Sequence, residues 1–428
     1  MNKTLSTIQF PRLLRSHLRQ LTKAIDDATY KTANQIVQDI RSKGESAIRR
    51  YAQQYDFLEP DSPLVIGATE MQRSLKRVDT DVLELLKRTK QRIESFALAQ
   101  RSCISDLDKS IPEGRAGHRW LPLQSAGCYA PGGRYPLPSS VLMTCVTARA
   151  AGVKTVIVAS PNPDNVTIAA AAVAGADKLL RIGGAQAIAT LAFGLDNSLP
   201  ACNVIVGPGN RFVTAAKSIV SRFSRIDMLA GPSELVVATA GDTSPAVVAA
   251  DLLAQAEHDP DARPFLVTTA NDFAIRVREE IGEQLSELPT APIAAQALKS
   301  GGYWIANDIE KVLEICRAIA PEHLSVQGDE FESVASQFEM GAALFVGSGS
   351  AEVFGDYGAG PNHTLPTRGS ARSNSGLSVL DFMRFQTFLN LNKLQNADST
   401  GSNLIADTIA LGRLEGLEAH ARSAEMRD

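Results

Sequence analysis

Residues 155–193, TVIVASPNPDNVTIAAAAVAGADKLLRIGGAQAIATLAF, alternate short apolar runs with alanine-rich stretches. We predict strands from Thr155 to Val158 and from Lys178 to Ile182, and helices from Thr167 to Ala174 and from Gln186 to Phe193. Short apolar runs are typical of buried strands, whereas alanine favours helix. Strands that alternate with helices form a parallel sheet with helices on both faces. The stretch therefore predicts an α/β fold.

The alternation continues on both sides of this stretch. Further predicted elements are a strand end at Cys128 to Ala130, a helix from Ser139 to Ala151, a strand at Val204 to Val206, a helix from Phe212 to Phe223 and a strand from Leu235 to Ala238. A second series runs from a helix near Ser244, through a strand at Pro264 to Thr268, to a strand at Ala342 to Val346. We therefore predict two incomplete Rossmann-like parallel-sheet domains.

The two ends of the chain have a helical pattern. Apolar residues recur at helical spacing from about Leu18 to Tyr55 and again from Val82 to Leu98. Helical spacing returns beyond Gly376, and the final segment is amphipathic. We predict helical N- and C-terminal extensions, with domain boundaries as follows: an N-terminal extension over residues 1–25, one domain over 26–128 and 235–376, an inserted domain over 129–234, and a C-terminal dimerisation segment over 377–428.

The composition favours a globular protein with a small-molecule partner. The chain has 428 residues, of which 43 are basic and 47 acidic, and this balance excludes nucleic acid and an anionic membrane surface as expected partners. The five cysteines are widely spaced and include no Cys-x-x-Cys pair, so neither a disulfide framework nor a thiolate zinc site is indicated. No apolar window reaches the length of a membrane span. We expect a cytoplasmic protein.

Four of the six histidines lie in the last 171 residues, each within a short polar cluster. Histidine is a common zinc ligand, and a catalytic zinc needs three or four protein ligands and an open position. The clusters therefore predict a metal site that is assembled from distant segments. They are Gln255 with His258, Glu322 with His323, Asp356 with His363, and Glu415 with His420.

Two of these clusters also have an ordinary structural explanation. His258 follows a predicted helix, and a histidine at a helix C-terminus interacts favourably with the helix dipole. Gln255 lies on the same helix face, but glutamine is a rare metal ligand. Asp356 and His363 flank a glycine-rich loop, where the alternative is a plain turn with Asp356 as a cap.

For each of the other two clusters, the sequence also leaves a functional and a structural interpretation open. Glu322 and His323 precede a predicted strand and could act as a water-activating carboxylate and a proton acceptor, or could be a solvated pair on the surface. Glu415 and His420 are five residues apart, so on an ideal helix their side chains point in directions that differ by about 140° around the helix axis. They would share a face only if Gly416 distorts the helix, and a solvated surface is the alternative.

Three glycine-rich turns each join a predicted strand to a predicted helix. They lie at Gly132-Gly133, at Gly183 to Gln186 and at Gly207 to Asn210. Backbone amides at such turns suit phosphate or nucleotide groups, although the chain has no Gly-x-Gly-x-x-Gly fingerprint. Each could be a plain tight turn, but three at one edge of a sheet predict a ligand crevice.

The motifs together resemble those of the histidinol dehydrogenase family, in order and from about residue 30 to 425. The resembling stretches are Tyr129-Ala-Pro-Gly-Gly133, Pro138-Ser-Ser-Val-Leu-Met143, Gly183-Gly-Ala-Gln186, Gly207-Pro-Gly-Asn210, Ala230-Gly-Pro-Ser-Glu234, Gln255-Ala-Glu-His258, Pro321-Glu-His-Leu324, Gly360-Pro-Asn-His-Thr-Leu-Pro366 and Glu415-Gly-Leu-Glu-Ala-His420.

The resemblance implies an NAD-dependent zinc enzyme that oxidises L-histidinol through the aldehyde to L-histidine, the last steps of histidine biosynthesis, with two NAD consumed. It implies one zinc ion per subunit, which also holds the substrate, with Gln255, His258, Asp356 and His420 as ligands. The family forms a domain-swapped homodimer, in which the C-terminal segment completes the site of the other subunit. Glu415 and His420 then need not share a helix face.

The resemblance also implies a role for each remaining site residue. His323 would take the hydroxyl proton, and Glu322 would activate water for the second oxidation. Three residues would position the substrate, namely Ser233, His363 and Glu415, the last at its ammonium group. Three others would line the NAD site: Tyr129, Gln186 and Asn210.

The sequence departs from the family pattern at Arg134-Tyr-Pro-Leu137 and at Asp381-Phe-Met-Arg-Phe-Gln-Thr387. The first variant resembles family members that oxidise sulfonated diols, and Arg134 could face an anionic substrate or a cofactor phosphate. Two further alternatives are a zinc hydrolase, which would use Glu322 and His323 without the nucleotide crevice, and a non-catalytic homologue.

Overall fold

The computed structural model describes residues 10–13, 26–111, 114–132, 136–391 and 404–427. The helices are α1 (Asp27–Lys43), α2 (Glu45–Asp56), α3 (Ala68–Ser74), α4 (Thr80–Ser102), α5 (Pro138–Ala150), α6 (Asn165–Ala174), α7 (Gly184–Phe193), α8 (Arg211–Val220), α9 (Pro245–Glu257), α10 (Asn271–Leu285), α11 (Ala291–Ala297), α12 (Ile309–Ile319), α13 (Asp329–Glu332), α14 (Glu352–Asp356), α15 (Leu404–Leu414) and α16 (Glu418–Glu425).

The strands are β1 (Val65–Gly67), β2 (Leu107–Ile111), β3 (Gly114–Pro122), β4 (Ser125–Tyr129), β5 (Thr155–Ala159), β6 (Lys178–Leu180), β7 (Val204–Val206), β8 (Arg225–Ile226), β9 (Glu234–Thr239), β10 (Arg263–Thr268), β11 (Gly302–Ile305), β12 (His323–Gln327), β13 (Ala343–Val346) and β14 (Met383–Leu391).

The larger compact unit comprises residues 1–101 and 123–382 and contains two sheets. The first has the order β1-β6-β5-β4-β7-β8 and is parallel except for β1, which is an antiparallel edge strand. The second has the order β11-β10-β9-β12-β13 and is parallel throughout. The prediction of an α/β fold with two parallel sheets is confirmed.

Both sheets have a reversal in their strand order. In the first sheet, the chain adds strands outward from β4 to β6 and then returns to place β7 on the other side of β4. In the second, β9, β10 and β11 follow one another outward, and β12 then pairs with the free side of β9. Such reversals leave a crevice, because the connections on the two sides diverge.

Helices α1 and α2 pack on the first sheet. Their buried residues Ile36, Ile40 and Ile48 belong to one hydrophobic core with Ile157 of β5 and Ile205 of β7. The sequence had grouped residues 26–128 with 235–376, whereas these two helices share the core of the 129–234 segment. Local spacing predicts that a helix has an apolar face but not which sheet the face covers. The remaining domain boundaries stay predictions.

The smaller unit comprises residues 102–122 and 383–428. It contains an antiparallel sheet of order β14-β3-β2 together with α15 and α16. The expectation of helix throughout the segment beyond Gly376 is wrong for Met383–Leu391, which pairs with β3 along nine residues. The final helix is also divided, because Gly416 adopts φ +76° between α15 and α16. A left-handed residue ends a helix, and glycine adopts it without strain.

None of the helices in the described ranges is both long and apolar enough to cross a membrane. Four cysteines are buried free thiols, namely Cys128, Cys145, Cys202 and Cys316, and Cys103 is exposed.

Candidate active site

The candidate active site lies at the amino ends of β9 and β12. These strands are neighbours in register, with His323 opposite Leu235. Ser233 and Glu322 precede their strands by one residue, so the parallel pairing brings both side chains to the same edge. Helix α9 runs from the carboxyl end of β9 back towards this edge, where its last turn provides Gln255 and His258 follows.

Glu322 is buried and is held by two donors. Its Oε2 accepts hydrogen bonds from Ser233 Oγ at 2.5 Å and from the backbone N–H of Glu234 at 2.9 Å. Burial raises the pKa of Glu322, and the nearby His323 only partly opposes the shift. A carboxylate with a raised pKa is a stronger base, which suits proton abstraction from water.

His323 is buried between acceptors and acids. Its Nδ1 lies 3.2 Å from both the Glu234 carbonyl oxygen and Gln255 Oε1, so we assign the proton to Nδ1. Its Nε2 lies 3.7 Å from Asp356 Oδ1 and has no hydrogen-bond partner among the described residues. Burial lowers the pKa of His323, but the charges of Glu322 and Asp356 outweigh this effect and raise the pKa to about 9.

Asp356 ends α14 and faces two of the predicted histidines. Its Oδ2 lies 3.6 Å from Nε2 of His258, while its Oδ1 faces His323. Burial raises the pKa of Asp356, but His323 outweighs the effect and the net shift is downward. Gln255 completes the group, because it is 1% exposed and its Nε2 has no partner among the described residues.

These side chains fit a zinc ion in donor type. Two ligand atoms of a tetrahedral zinc lie about 3.4 Å apart, given zinc–nitrogen and zinc–oxygen bonds of about 2.0–2.2 Å. The 3.6 Å between His258 and Asp356 is close to that separation. Within the described ranges, no group of three or more His, Cys, Asp or Glu forms a metal cluster. Of the four predicted ligands, His258 and Asp356 lie at about this separation, and Gln255 contacts the neighbouring His323. A complete site therefore needs the Gln255 amide and a further donor.

His363 also lies in this region, on the loop after α14. Its Nδ1 lies 2.9 Å from the backbone oxygen of Asp356, and its Nε2 lies 3.4 Å from Ser140 Oγ of α5. Burial lowers the pKa of His363. The sequence interpretation assigned no role to Ser140, although it lies within one of the quoted motifs.

A further group of buried acids was not recognised from the sequence. Glu352 is 2% exposed, and its two carboxylate oxygens have no partner among the described residues. Burial, reinforced by the charge of Asp251, raises its pKa to about 8. Asp251 accepts a hydrogen bond from Gln327 Nε2 at 2.7 Å. Nothing in local spacing marks these residues, because they come from three separate elements.

The carboxyl edge of the first sheet is where the glycine-rich turns predict a ligand crevice. A pocket of about 560 Å³ opens there, and its lining includes Tyr129, Gln186 and Asn210. The turns that follow β4, β6 and β7 all reach this edge, as the sequence predicted. The volume is within the range of pockets that hold cofactors, about 300–1,000 Å³. Arg134 lies outside the described residues.

Asp56 of α2 organises one wall of this pocket. Its carboxylate accepts hydrogen bonds from Gly183 N–H at 2.9 Å and from Gln186 Nε2 at 2.9 Å. Tyr129 Oη accepts from the N–H of Gly184 at 3.1 Å. Asn210 caps α8 through Phe212 and Val213. Asp56 was not predictable as a site residue, because a single acid at the end of a helix has no distinctive sequence pattern.

Glu415 and His420 belong to the smaller unit. Glu415 lies in the turn after α15, and His420 lies in the first turn of α16. Both side chains are exposed, and the backbone break at Gly416 separates them. The condition under which they could act together, a distortion at Gly416, is therefore met.

Comparison with known proteins agrees with this architecture. A model of the histidinol dehydrogenase family matches residues 19–428. The histidinol dehydrogenase of Gluconobacter oxydans is 42% identical over 400 residues, covering 92% of this chain and 91% of that protein. That of Thermus thermophilus is 38% identical, covering 94% and 96%. A crystal structure of histidinol dehydrogenase from Elizabethkingia anophelis has a TM-score of 0.88 at 29% identity, covering 97% and 96%. This chain belongs to the histidinol dehydrogenase family of oxidoreductases.

Proposed function

We propose that this protein oxidises L-histidinol to L-histidine in two steps, with zinc and two NAD. The observation that supports this most directly is the convergence of Glu322 and His323 with Gln255, His258 and Asp356 at one sheet edge. The relatives that cover most of the chain carry the histidinol dehydrogenase name. They favour histidinol over a sulfonated diol as the substrate, and a dehydrogenase over a hydrolase.

His323 is the base of the first oxidation and accepts the hydroxyl proton at Nε2. The bond from Nδ1–H to Glu234 and Gln255 fixes the ring orientation and leaves Nε2 free. With a pKa of about 9 in the structure described, His323 would be protonated at neutral pH. Because the charge of Asp356 contributes to this shift, its neutralisation by a bound cation would lower the pKa of His323 towards that of a usable base.

Glu322 is the base of the second oxidation and removes a proton from the water that adds to the aldehyde carbon. Ser233 and the Glu234 amide hold one carboxylate oxygen, and the other is left for water. Because burial raises its pKa, Glu322 accepts a proton more readily than a solvated glutamate. His363 and Glu415 contact the substrate, with Glu415 at its ammonium group.

Zinc would supply a Lewis acid that orients the hydroxyl-bearing carbon and stabilises negative charge on its oxygen. We assign one ion per subunit to Gln255, His258, Asp356 and His420. NAD would accept the hydride in each oxidation, and we assign it to the pocket lined by Tyr129, Gln186 and Asn210.

We further propose a homodimer in which His420 and Glu415 complete the site of the partner subunit. Both residues are exposed, and the same unit exposes large apolar side chains that a partner would cover. The most exposed of these are Leu389, Leu411, Leu414 and Met426. The four buried free thiols are consistent with a reducing, cytoplasmic location.

The deciding experiment supplies purified protein with NAD and L-histidinol and measures NADH and L-histidine. We expect two NADH per histidine, loss of activity with a chelator and recovery with zinc. A sulfonated diol serves as the comparison substrate. Zinc-loaded, folded protein that forms no histidine would refute the proposal.

The shared site is tested separately by mixing two inactive variants, His323→Asn and His420→Asn. If His420 acts in the partner's site, heterodimers regain one intact site, and activity returns on mixing under conditions that exchange subunits. If each chain completes its own site, one subunit in each heterodimer still carries an intact His323 with a defective His420, so the mixture stays inactive.

A further inference from the structure

Lys217 is a buried cation on α8. Its side chain is 2% exposed, and Nζ forms an ion pair with Asp227, whose side chain is 0% exposed. The surrounding face of α8 is apolar and includes Val213, Ala216 and Val220. A buried ion pair rarely adds net stability over an apolar pair of the same volume. Its presence here therefore calls for a role other than stabilising the core.

The ion pair holds Gly207 from both sides. Lys217 Nζ donates a hydrogen bond to the Gly207 carbonyl oxygen at 2.9 Å, and Gly207 N–H donates to Asp227 Oδ2 at 2.7 Å. Gly207 adopts φ +116°, and a Cβ there would lie 2.0 Å from the carbonyl oxygen of Tyr129. The backbone at residue 207 is therefore fixed in one orientation against the end of β4.

Gly207 begins the turn that forms a wall of the cofactor pocket. Three residues later Asn210 caps α8, and Asn210, Phe212 and Tyr129 all line the pocket. Lys217 and Asp227 lie outside this lining, so they act on the wall from behind. Gly207 packs against the backbone of Tyr129, and Asn210 follows it in the same turn. A shift of the peptide at Gly207 would therefore move both this contact and the cap of α8.

The same helix also contacts the segment that leads to the catalytic cluster. Thr214, one turn before Lys217, donates its hydroxyl to the carbonyl oxygen of Ala230 at 2.7 Å. Ala230 is three residues before Ser233, which donates to Glu322. Residues 227–233 therefore run from the buried ion pair to Ser233, which binds the Glu322 carboxylate, and α8 holds this segment at Asp227 and at Ala230.

We propose that Lys217 and Asp227 are positioning residues that fix the Gly207 turn for cofactor binding. The inference rests on the proposed function, because it takes the pocket to be the NAD site. Neither residue exchanges a proton with the substrate or touches the reacting atoms. Their removal should weaken the binding of NAD and NADH and leave the affinity for L-histidinol unchanged.

The main test uses the double variant Lys217→Met/Asp227→Asn. Methionine fills the volume of the lysine stem, and asparagine keeps an acceptor for Gly207 N–H, while the Gly207 carbonyl loses its donor. Loss of both charges avoids the unpaired buried charge that a single replacement leaves. Lys217→Gln/Asp227→Asn is a second neutral variant, in which the glutamine keeps a donor near the Gly207 carbonyl; it serves if the first double variant does not fold.

The control is Arg149→Met. Arg149 closes turns at the opposite, amino-terminal edge of the same sheet through the carbonyl oxygens of Val153 and Gly175, and pairs with Asp177. It therefore reports what the loss of a partly buried cation does to the sheet without a change in the pocket wall. Thermal unfolding of each variant identifies the folded proteins that can be compared.

The measurements are the Kd of NADH from its fluorescence, the KM of NAD and the KM of L-histidinol. For the double variant we expect the Kd of NADH and the KM of NAD to rise about tenfold, the order of one lost hydrogen bond. We expect a rise of about threefold for Lys217→Gln/Asp227→Asn, no change for Arg149→Met, and an unchanged KM for L-histidinol.

A folded double variant that binds NADH as tightly as the wild-type protein would overturn the inference. An equal loss of NADH binding in Arg149→Met would also overturn it, because the effect would then be one of general stability. A wild-type protein that is folded and zinc-loaded but does not bind NADH would refute the proposed function, and the inference with it.

Discussion

The exchange of Glu322 for glutamine separates the two oxidations. Glutamine has the same shape, and its oxygen can still accept the hydrogen bonds from Ser233 and the Glu234 amide. The fold should therefore be kept, while the base for water activation is lost. General-base catalysis contributes about 10²–10⁴ in rate, so we expect the second oxidation to slow by about that factor. The first oxidation uses His323 and should fall less than tenfold.

The assay compares L-histidinol with the amino aldehyde as substrates and measures NADH per substrate consumed. In Glu322→Gln, the aldehyde should accumulate from L-histidinol, and the yield should fall from two NADH towards one. The charge of Glu322 raises the pKa of His323, so its removal should shift the acidic limb of the first oxidation to lower pH. A variant that still forms histidine at the wild-type rate would refute the assignment of Glu322.

Ser233→Ala is the matched control for this variant. It removes one donor to the carboxylate but leaves the base and the Glu234 amide in place. A hydrogen bond to a charged group contributes about 1.5–3 kcal/mol, so both oxidations should slow moderately and the yield of two NADH should be kept.

Three further predictions follow from buried groups. Glu352→Gln should make stability less sensitive to pH. The pKa of Glu352 is raised to about 8, so the free energy of unfolding of the wild-type protein should fall by about 5 kcal/mol as pH rises from about 4.5 to 8, which urea unfolding of metal-free protein would measure against the variant. Asp356→Asn should abolish stoichiometric zinc binding, measured by metal analysis, yet leave NADH fluorescence titrations unchanged; retained zinc would contradict the ligand assignment. Gly207→Ala should unfold at a temperature several degrees lower, since its Cβ would meet the Tyr129 carbonyl at 2.0 Å; an unchanged thermal midpoint would contradict this.

The strands and helices of the two parallel sheets were largely predictable. The stretch from Thr155 to Phe193 folds as the local pattern indicates, because its apolar runs are buried on both faces of the sheet and its alanine-rich runs are helical. Strand β14 was not predictable in this way, since its partner β3 lies more than 260 residues earlier in the chain. Pairing over such a distance leaves no periodic signal within the strand itself.

The sequence could identify candidate site residues, but it could not predict how these residues are arranged in space. Motif order identified Glu322, His323 and Asp356, and the structure brings these three together. The motifs did not identify Asp56, which accepts hydrogen bonds from Gly183 and Gln186 and lies on a different helix. They also did not identify the buried carboxylates of Glu352 and Asp251. Each of these depends on contacts between residues far apart in the chain.

The sequence by itself determined the α/β class, the glycine turns at one sheet edge and the chemical character of the candidate site. Local propensity and residue type are sufficient for those properties. Only the tertiary structure decided that α1 and α2 cover the first sheet, that the candidate catalytic residues lie at the amino ends of β9 and β12, and that His323 is surrounded by acids. These features arise from which strands pair and which faces pack, and burial then sets the pKa values that determine what each side chain can do.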